Sequence, residues 1–192
     1  MSEKDSEELR KDLVKIEVKL IKSEIRFLKF MLKQDDPRKC SAAKLVKFNL
    51  AKPVTRTTSR TLILNPFSNK ILLKSDRKLV NSITGIDCSW NLAVPAFKKP
   101  FTGVARKLPP LLAGNPINYS KVNKLTTVEA LAGAVYILGE SELMHILLQK
   151  FKWGPTFFAL NENLLEEYSK AKSESEILEI SHEYGLTDAQ FM

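Results

Sequence analysis

Three short polar stretches of this 192-residue chain each follow a predicted strand: Asp35–Ser41, Asn65–Ser68 and Asp87–Ala93. Loops at the carboxyl edge of a parallel sheet converge, so these three could form one ligand site. A fourth candidate is the start of a predicted helix at Thr126, whose backbone N–H groups and dipole would favour a carboxylate. Taken singly, each loop is better explained as ordinary strand termination, so it is their convergence that indicates a site.

Several common catalytic and metal-binding patterns are absent from the sequence. It has no G-x-G-x-x-G after a strand, no G-x-x-x-x-G-K-[ST], and no Ser or Cys nucleophile with a plausible His partner. His145 and His182 are isolated, so we expect no metal, and Cys40 and Cys88 suggest no disulfide framework. A bound nucleoside would therefore be held by backbone groups and apolar walls of irregular loops.

Positive charge is concentrated in the N-terminal two thirds of the chain. The first 124 residues contain 26 Lys and Arg against 11 Asp and Glu, a net charge of +15, whereas the last 68 contain 4 against 11, a net charge of −7. Clustered basic side chains bind phosphates by releasing counterions, so the distribution favours a polyanion such as nucleic acid as partner. A merely solvated basic face is the alternative, and charge alone does not decide between them.

The composition and the N-terminus indicate where the protein works. An apolar content of 44% is enough for a core, and no run of about 18 apolar residues could cross a bilayer. The first residues, MSEKDSEELRKDL, are too charged for a signal peptide. We therefore expect a cytoplasmic protein without a membrane partner.

The apolar pattern predicts an α/β half with a mainly parallel sheet, followed by a helical half. The predicted strands lie at 15–22, 25–32, 60–64 and 83–87. Short helices are predicted at 41–48, capped by Asp36, and at 75–81, capped by Ser75. Residues 96–124 are predicted to be loop with one helical turn at 104–107. Thr126 and Glu129 form a capping box for a helix at 128–138, and Ser173 and Glu176 form another for a helix at 173–184. Further helices are predicted at 142–151 and 161–171.

Five segments resemble, in order, the motifs of the small-subunit rRNA aminocarboxypropyltransferases, a family that works in ribosome biogenesis. These segments are DDPRKCSAAKLVK (35–47), LILNPFSNKILLKSDRKLV (62–80), GIDCSW (85–90), LPPLLAGNPINYSKVNKLTTVEALAGAVYI (108–137) and FKWGPTFFALNENLLEEY (151–168). The combination of GIDCSW with GNPINY and TTVEA is specific for this family.

The resemblance implies a fold and a reaction. The fold class would be α/β, similar to the knotted SPOUT-like methyltransferases, with a trefoil-knotted parallel-sheet domain and an all-helical C-terminal domain. The chain would divide into an N-terminal extension (1–22), a cofactor-binding domain (23–109) and a helical domain (110–192). The family transfers the 3-amino-3-carboxypropyl group of S-adenosylmethionine to N3 of a uridine or an N1-methylpseudouridine in a decoding-region hairpin of small-subunit rRNA, and releases methylthioadenosine.

The resemblance also implies the roles of individual residues. The cofactor site would contain Leu64 and Pro66 at the adenine, the Ile86 backbone at the ribose, Trp90 and Ala93 around the methyl group, Leu111, and Ser41 with the N–H groups of Thr126 or Thr127 at the carboxylate. Burying the methyl group against Trp90 would turn the γ-carbon toward the base, and the sulfonium would lie favourably over the indole. Asp87 would lie beside the amino group. Whether Asp87 also deprotonates the base or only orients the cofactor is left open.

Basic residues around these loops are the candidate rRNA surface, either on free rRNA or on a pre-ribosomal small subunit. They are Lys39, Lys44, Lys47, Arg60, Lys74, Arg77, Arg106 and Lys107. Two other functions remain open: a methyltransferase that uses the same cofactor, and an assembly factor that binds RNA without catalysis.

The chain departs from the family pattern in two places. Pro155 stands in FKWGPTF where many relatives have His, and the residues before Ile25 have no recognisable counterpart. We expect a monomer, because the helical domain would cover the surface through which knotted methyltransferases dimerise.

Overall fold

A computed structural model describes residues 25–31, 41–87, 97 and 100–186. The strands are β1 (Arg26–Met31), β2 (Lys52–Val54), β3 (Thr61–Leu64), β4 (Ser82–Asp87) and β5 (Val104–Arg106). They form one sheet in the order β2-β1-β4-β3-β5, and every neighbouring pair is parallel. The predicted α/β class with a parallel sheet is thus confirmed.

The three inner strands agree with the sequence prediction. β1, β3 and β4 lie within one residue of the runs predicted at 25–32, 60–64 and 83–87. All four residues of β3 are buried, as is typical of a parallel strand covered on both faces. A continuous apolar run is therefore a sufficient signal for these strands.

The two outer strands were not predicted. β2 is only three residues long, and Pro53 lies on the sheet edge, where a missing N–H costs no ladder bond. β5 occupies the segment predicted as a helical turn at 104–107, so that prediction is wrong. Three residues are too few to show a period, and pairing of Leu64 with Arg106 across β3 and β5 selects the extended conformation.

The helices are α1 (Ser41–Lys47), α2 (Thr127–Ile137), α3 (Ser141–Leu148), α4 (Gly154–Tyr168) and α5 (Glu174–Glu183). α4 begins seven residues before the predicted start, because Pro155 lies in its first turn, where proline is tolerated. The Thr126 and Ser173 caps are confirmed, since each hydroxyl accepts the expected backbone N–H. The predicted strand at 15–22 and the Asp36 cap lie outside the described residues.

The short helix predicted at 75–81 is a 3₁₀ helix, Lys74–Lys78. Its predicted cap, Ser75, is wrong, because Ser75 lies inside the helix. The Asp76 carboxylate instead accepts the N–H of Leu73, at 3.1 Å. The side chain that caps this turn is therefore one residue later than expected.

One hydrophobic core joins the sheet to the helices. Its fully buried members include Leu62 and Ile83 of the sheet, Leu131 of α2, Phe157 of α4 and Ile177 of α5. α2 lies at the centre, since it packs on β4, α1, α3 and α4. Among the described residues, no helix is both long and apolar enough to cross a membrane.

Candidate functional site

The carboxyl edge of the sheet has an opening beside β4. β4 pairs with β1 up to Met31 and Asp87, but its pairing with β3 ends at Ile63 and Thr84. β3 turns away toward β5, since the N–H of Asn65 donates to the Arg106 carbonyl at 2.9 Å. On the β3 side, no described strand pairs with residues 85–87.

The same edge is a topological switch point. From β1 the chain runs to β2 on one side of the sheet, and from β4 it runs to β5 on the other side. In open α/β sheets, ligands bind in the crevice where neighbouring connections diverge in this way. Ile86 and Asp87 end β4 at this crevice, opposite Phe30 and Met31 of β1.

The N-terminus of α2 lies directly on this end of β4. A Cβ atom built on Gly85 would collide with the methyl group of Thr127, and it would also contact Leu131 at 3.9 Å. Because residue 85 has no side chain, the first turn of α2 can approach the strand backbone. Thr127, Gly85 and Ile86 are thereby brought together.

Glu129 fixes the first turn of α2 and the preceding loop to each other. The side chain is fully buried. Its Oε1 accepts the N–H groups of Gly114 (2.8 Å) and Asn115 (2.9 Å). Its Oε2 accepts Asn115 Nδ2 (2.9 Å) and both the N–H (2.6 Å) and the hydroxyl (2.8 Å) of Thr126. Five donors thus satisfy a carboxylate whose burial would otherwise be costly.

The backbone N–H groups of the two threonines predicted to help hold a carboxylate differ in their bonding. The Thr126 N–H already donates to Glu129, whereas no described residue accepts the N–H of Thr127 or Val128. Ser41 begins α1, which packs on the same side of the sheet as α2. The N-terminus of α2 lies at this edge beside Gly85, and a helix N-terminus favours an anion.

The predicted adenine pocket lies on the loop after β3. Leu64 is nearly buried and Pro66 is half-buried. The loop is fixed by the Asn65 Oδ1 atom, which accepts the N–H of Phe67 at 2.9 Å. The ring of Phe97 meets the ring of Phe67 edge-to-face at 5.8 Å. Apolar groups thus surround this loop beside the opening.

The other predicted cofactor residues are Leu111, Trp90, Ala93 and Asp87. Leu111 has no exposed surface, and its side chain packs close to Gly133 within the core. Trp90 and Ala93 lie outside the described residues, as does the side chain of Asp87. The role of Leu111 at the cofactor stays a prediction from the family resemblance.

Two predicted RNA-binding arginines are engaged inside the fold. Arg106 forms a forked bond with Asp76, in which Nη2 and Nε donate at 2.8 Å and 3.0 Å. Arg77 donates to Glu140 at 3.1 Å. Asp76 is buried, so the Arg106 guanidinium serves first to compensate its charge.

The remaining basic residues differ in exposure and position. Lys44, Lys47, Arg60 and Lys74 are exposed, Lys107 is half-buried, and Lys39 lies outside the described residues. Lys74 lies within 4 Å of the Cβ position of Gly139, just past the C-terminal end of α2. That end is about 16 Å from Thr127, at 1.5 Å per residue, so Lys74 is remote from the carboxyl edge.

The resolved pKa shifts lie on the helical side of the molecule. Burial, and then the bond to Glu166, raises the pKa of Tyr136 above its ordinary value. Lys170, and then Tyr136, lowers the pKa of Glu166. In the described part of the chain, no three His, Cys, Asp or Glu side chains are grouped so that they could hold a metal ion.

Sequence reasoning missed two residues that position the site. Gly85 was quoted only as part of a motif, and a single glycine in a strand does suggest a close backbone approach. Asn161 was taken for an ordinary helical residue. It is fully buried, and its side chain bonds the N–H (2.7 Å) and the carbonyl (2.8 Å) of Leu112. The signal in the sequence was a polar amide between apolar residues of a predicted helix, which indicates a buried hydrogen-bonding side chain.

Comparisons with known proteins agree with one another. The family described as "Ribosome biogenesis protein, C-terminal" matches residues 62–185. The 16S rRNA aminocarboxypropyltransferase of Sulfurisphaera tokodaii is 44% identical over 78% of this chain and 89% of its own length. The protein of that name from Methanocaldococcus jannaschii is 40% identical over 79% and 91%. A solved structure, the SAM-dependent rRNA:acp-transferase Tsr3 from Vulcanisaeta distributa, matches with a TM-score of 0.75 and 35% identity over 86% of this chain and 91% of that chain.

Proposed function

Because the chain belongs to the family of the 16S rRNA aminocarboxypropyltransferases, we propose that it transfers the 3-amino-3-carboxypropyl group of S-adenosylmethionine to small-subunit rRNA. The acceptor is N3 of a uridine, or of a pseudouridine or its N1-methyl form. One structural observation supports the location of the reaction: β4 extends past β3, and the first turn of α2 lies on that extension.

The groups at this edge suit the proposed cofactor. Leu64 and Pro66 offer apolar surface for an adenine, and the backbone of Ile86 has polar groups for ribose hydroxyls. The N–H of Thr127 and the start of α1 at Ser41 offer donors for the carboxylate of the amino acid end. Trp90 and Ala93 would enclose the methyl group, as the family resemblance implies.

Regiochemistry in this proposal follows from position. S-adenosylmethionine, when bound, would supply a sulfonium-activated γ-carbon. The new N–C bond would form as the C–S bond breaks, methylthioadenosine would leave, and the N3 proton would pass to Asp87 or to solvent. Thr127 and Ser41 hold the carboxylate, which fixes the γ-carbon with respect to the opening. Trp90 excludes the base from the methyl group. No covalent bond to the protein is required.

Asp87 has two candidate roles at the end of β4. It either binds the amino group of the cofactor or accepts the N3 proton of the base. Asp87→Asn separates them when cofactor affinity and transfer rate are measured independently. Unchanged affinity with lost transfer supports the base role, and loss of both supports the binding role.

The rRNA surface combines exposed basic residues with the carboxyl edge. Lys44, Lys47 and Arg60 are the exposed candidates, Lys107 directly follows β5, and Lys74 is more distant. Lys39 stays a candidate from its place in the sequence. Arg77 and Arg106 remain in the proposal only as residues whose ion pairs with Glu140 and Asp76 stabilise this surface. Phosphate contacts of this kind orient the RNA without reading its sequence.

The finer architecture belongs to the same proposal. The sheet region up to residue 109 would be trefoil-knotted, residues 110–192 would form the helical domain, and residues 1–22 would be an extension. The protein would act as a cytoplasmic monomer on rRNA or on a pre-ribosomal small subunit.

Two labels in the cofactor test the reaction against its alternatives. The protein is incubated with small-subunit rRNA and with S-adenosylmethionine labelled separately in the methyl and carboxypropyl carbons. Carboxypropyl label in the RNA is the expected result. Methyl label would indicate a methyltransferase, and no label with retained RNA binding would indicate a non-catalytic assembly factor.

A further inference from the structure

A hairpin before α2 exposes two large apolar side chains at its tip. Ile117 is 85% exposed and Tyr119 is 58% exposed, the two highest values among the large hydrophobic side chains of the described residues. Single exposed apolar residues are common on protein surfaces and need no explanation. Two of them at one turn, separated by Asn118, form a small apolar tip, which we call the 117–119 tip.

The tip is held by a rigid base. Leu112 and Val122 form an antiparallel bridge, and the N–H of Ser120 donates to the Ala113 carbonyl at 2.7 Å. The N–H of Asn118 donates back to Asn115 Oδ1 at 3.1 Å. Asn161 of α4 binds both backbone groups of Leu112. The two side chains are therefore exposed on an ordered support and not on a loose loop.

The tip lies beside the proposed reaction site. Asn115 bonds to Glu129 in the first turn of α2, and Thr127 in the same turn packs on Gly85 of β4. Ile117 is two residues from Asn115, so their Cα atoms are at most about 7 Å apart. A partner that reaches the carboxyl edge thus meets the tip as well.

Charge indicates which partner the tip meets. From residue 88 to residue 128 the sequence contains no Asp or Glu, whereas it contains six Lys and Arg. Lys121 and Lys124, just after the tip, are exposed. Basic side chains beside an exposed aromatic ring are the combination that binds single-stranded nucleic acid, with cations on phosphates and the ring on a base.

We propose that the 117–119 tip enters the loop of the rRNA hairpin, where the Tyr119 ring stacks on a base next to the target nucleotide and Ile117 packs against it. This inference rests on the proposed function. An enzyme that modifies the edge of a base must first take that base out of the stack. The neighbouring base then loses its stacking partner, and an aromatic ring in that place lowers the free energy of unstacking. The tip is therefore a positioning device for the acceptor and does not contact the cofactor.

Direct RNA binding tests the proposal without relying on catalysis. The probes are a synthetic hairpin with the decoding-region sequence of small-subunit rRNA and a blunt RNA duplex of equal length. For the hairpin we expect Tyr119→Ala to weaken binding about tenfold, Ile117→Ser to weaken it several-fold, and Tyr119→Phe to remain within about threefold of the unchanged protein. Duplex binding, S-adenosylmethionine affinity and Tm should stay unchanged in all three variants.

Tyr184→Ala is the matched control, since Tyr184 is an exposed tyrosine directly after α5, in the acidic part of the chain. Hairpin binding by Tyr119→Ala within twofold of the unchanged protein overturns the proposal. The proposal is also overturned if Tyr119→Ala weakens duplex binding as much as hairpin binding. It is overturned as well if Tyr119→Phe weakens hairpin binding as much as Tyr119→Ala does, because neither result fits ring stacking. Absence of transfer in the unchanged protein would refute the proposed function and leave this binding result standing.

Discussion

Thr127, the first residue of α2, packs its methyl group against Gly85, the fourth residue of β4. This contact sets the distance between a helix N-terminus and the carboxyl end of the strand that leads to Asp87. Any side chain at residue 85 must push the two elements apart. The proposed cofactor carboxylate would lie beside this contact, at the N–H of Thr127, so the contact links packing to function.

Gly85→Ala should destabilise the protein by about 1–3 kcal/mol, because the added methyl group overpacks this contact. Thr127→Ser removes the opposing methyl group and keeps the hydroxyl. The double variant should therefore recover at least half of the loss in urea denaturation. If Gly85→Ala is equally destabilising with Thr or Ser at 127, the contact does not limit the approach of the helix.

Glu129→Gln should destabilise the protein by about 2–4 kcal/mol, because an amide NH₂ would face donors that now bond to a carboxylate oxygen. Cofactor affinity should fall as well, since Thr126 and Asn115 lose their common partner. Glu166→Gln, on an exposed carboxylate of α4, is the control and should leave Tm unchanged. Unaltered unfolding of the Glu129 variant would contradict the role given to this network.

Arg106→Lys should lower stability by about 1–3 kcal/mol although it preserves the charge, because Lys cannot form the forked bond with buried Asp76. RNA affinity of the folded variant should be unchanged. Arg56→Lys, at an exposed position, should change neither. Lower RNA affinity with unaltered stability in Arg106→Lys would restore the surface role first predicted for this residue.

Lys44→Ala and Lys47→Ala should each weaken RNA binding and reduce its salt dependence. The slope of log K against log salt concentration should fall by about 0.7–0.9 for each phosphate contact that is lost. Fluorescence anisotropy over a salt series measures this slope. Lys170→Ala, in the acidic part of the chain, is the control and should leave this slope unchanged. If the slopes of Lys44→Ala and Lys47→Ala equal that of Lys170→Ala, α1 does not belong to the RNA surface.

The sequence predicted correctly those strands and helix starts whose signal lies within a few neighbouring residues. Continuous apolar runs located β1, β3 and β4, the Thr126 and Ser173 caps located two helices, and the ordered motifs identified the family, which the comparisons confirm. The parallel sheet followed from the alternation of these elements. Each of these signals lies within a few residues of the feature that it predicts.

Prediction failed where long-range contacts decide. β5 is extended because it pairs with β3, and the guanidinium of Arg106 is occupied because Asp76, 30 residues away, is buried beneath it. The motif around Leu111 does not indicate that packing near Gly133 of α2 buries its side chain completely. Charge counts could not distinguish Arg77 and Arg106 from exposed lysines, because the partner of a basic residue is set by the tertiary structure.

The most direct test of the proposed reaction identifies the nucleoside released in a single turnover on small-subunit rRNA. Unlabelled S-adenosylmethionine is mixed with excess protein and RNA, and the products are separated by chromatography. We predict methylthioadenosine in a one-to-one ratio to modified RNA, and none when the RNA is omitted. Release of S-adenosylhomocysteine instead would contradict aminocarboxypropyl transfer.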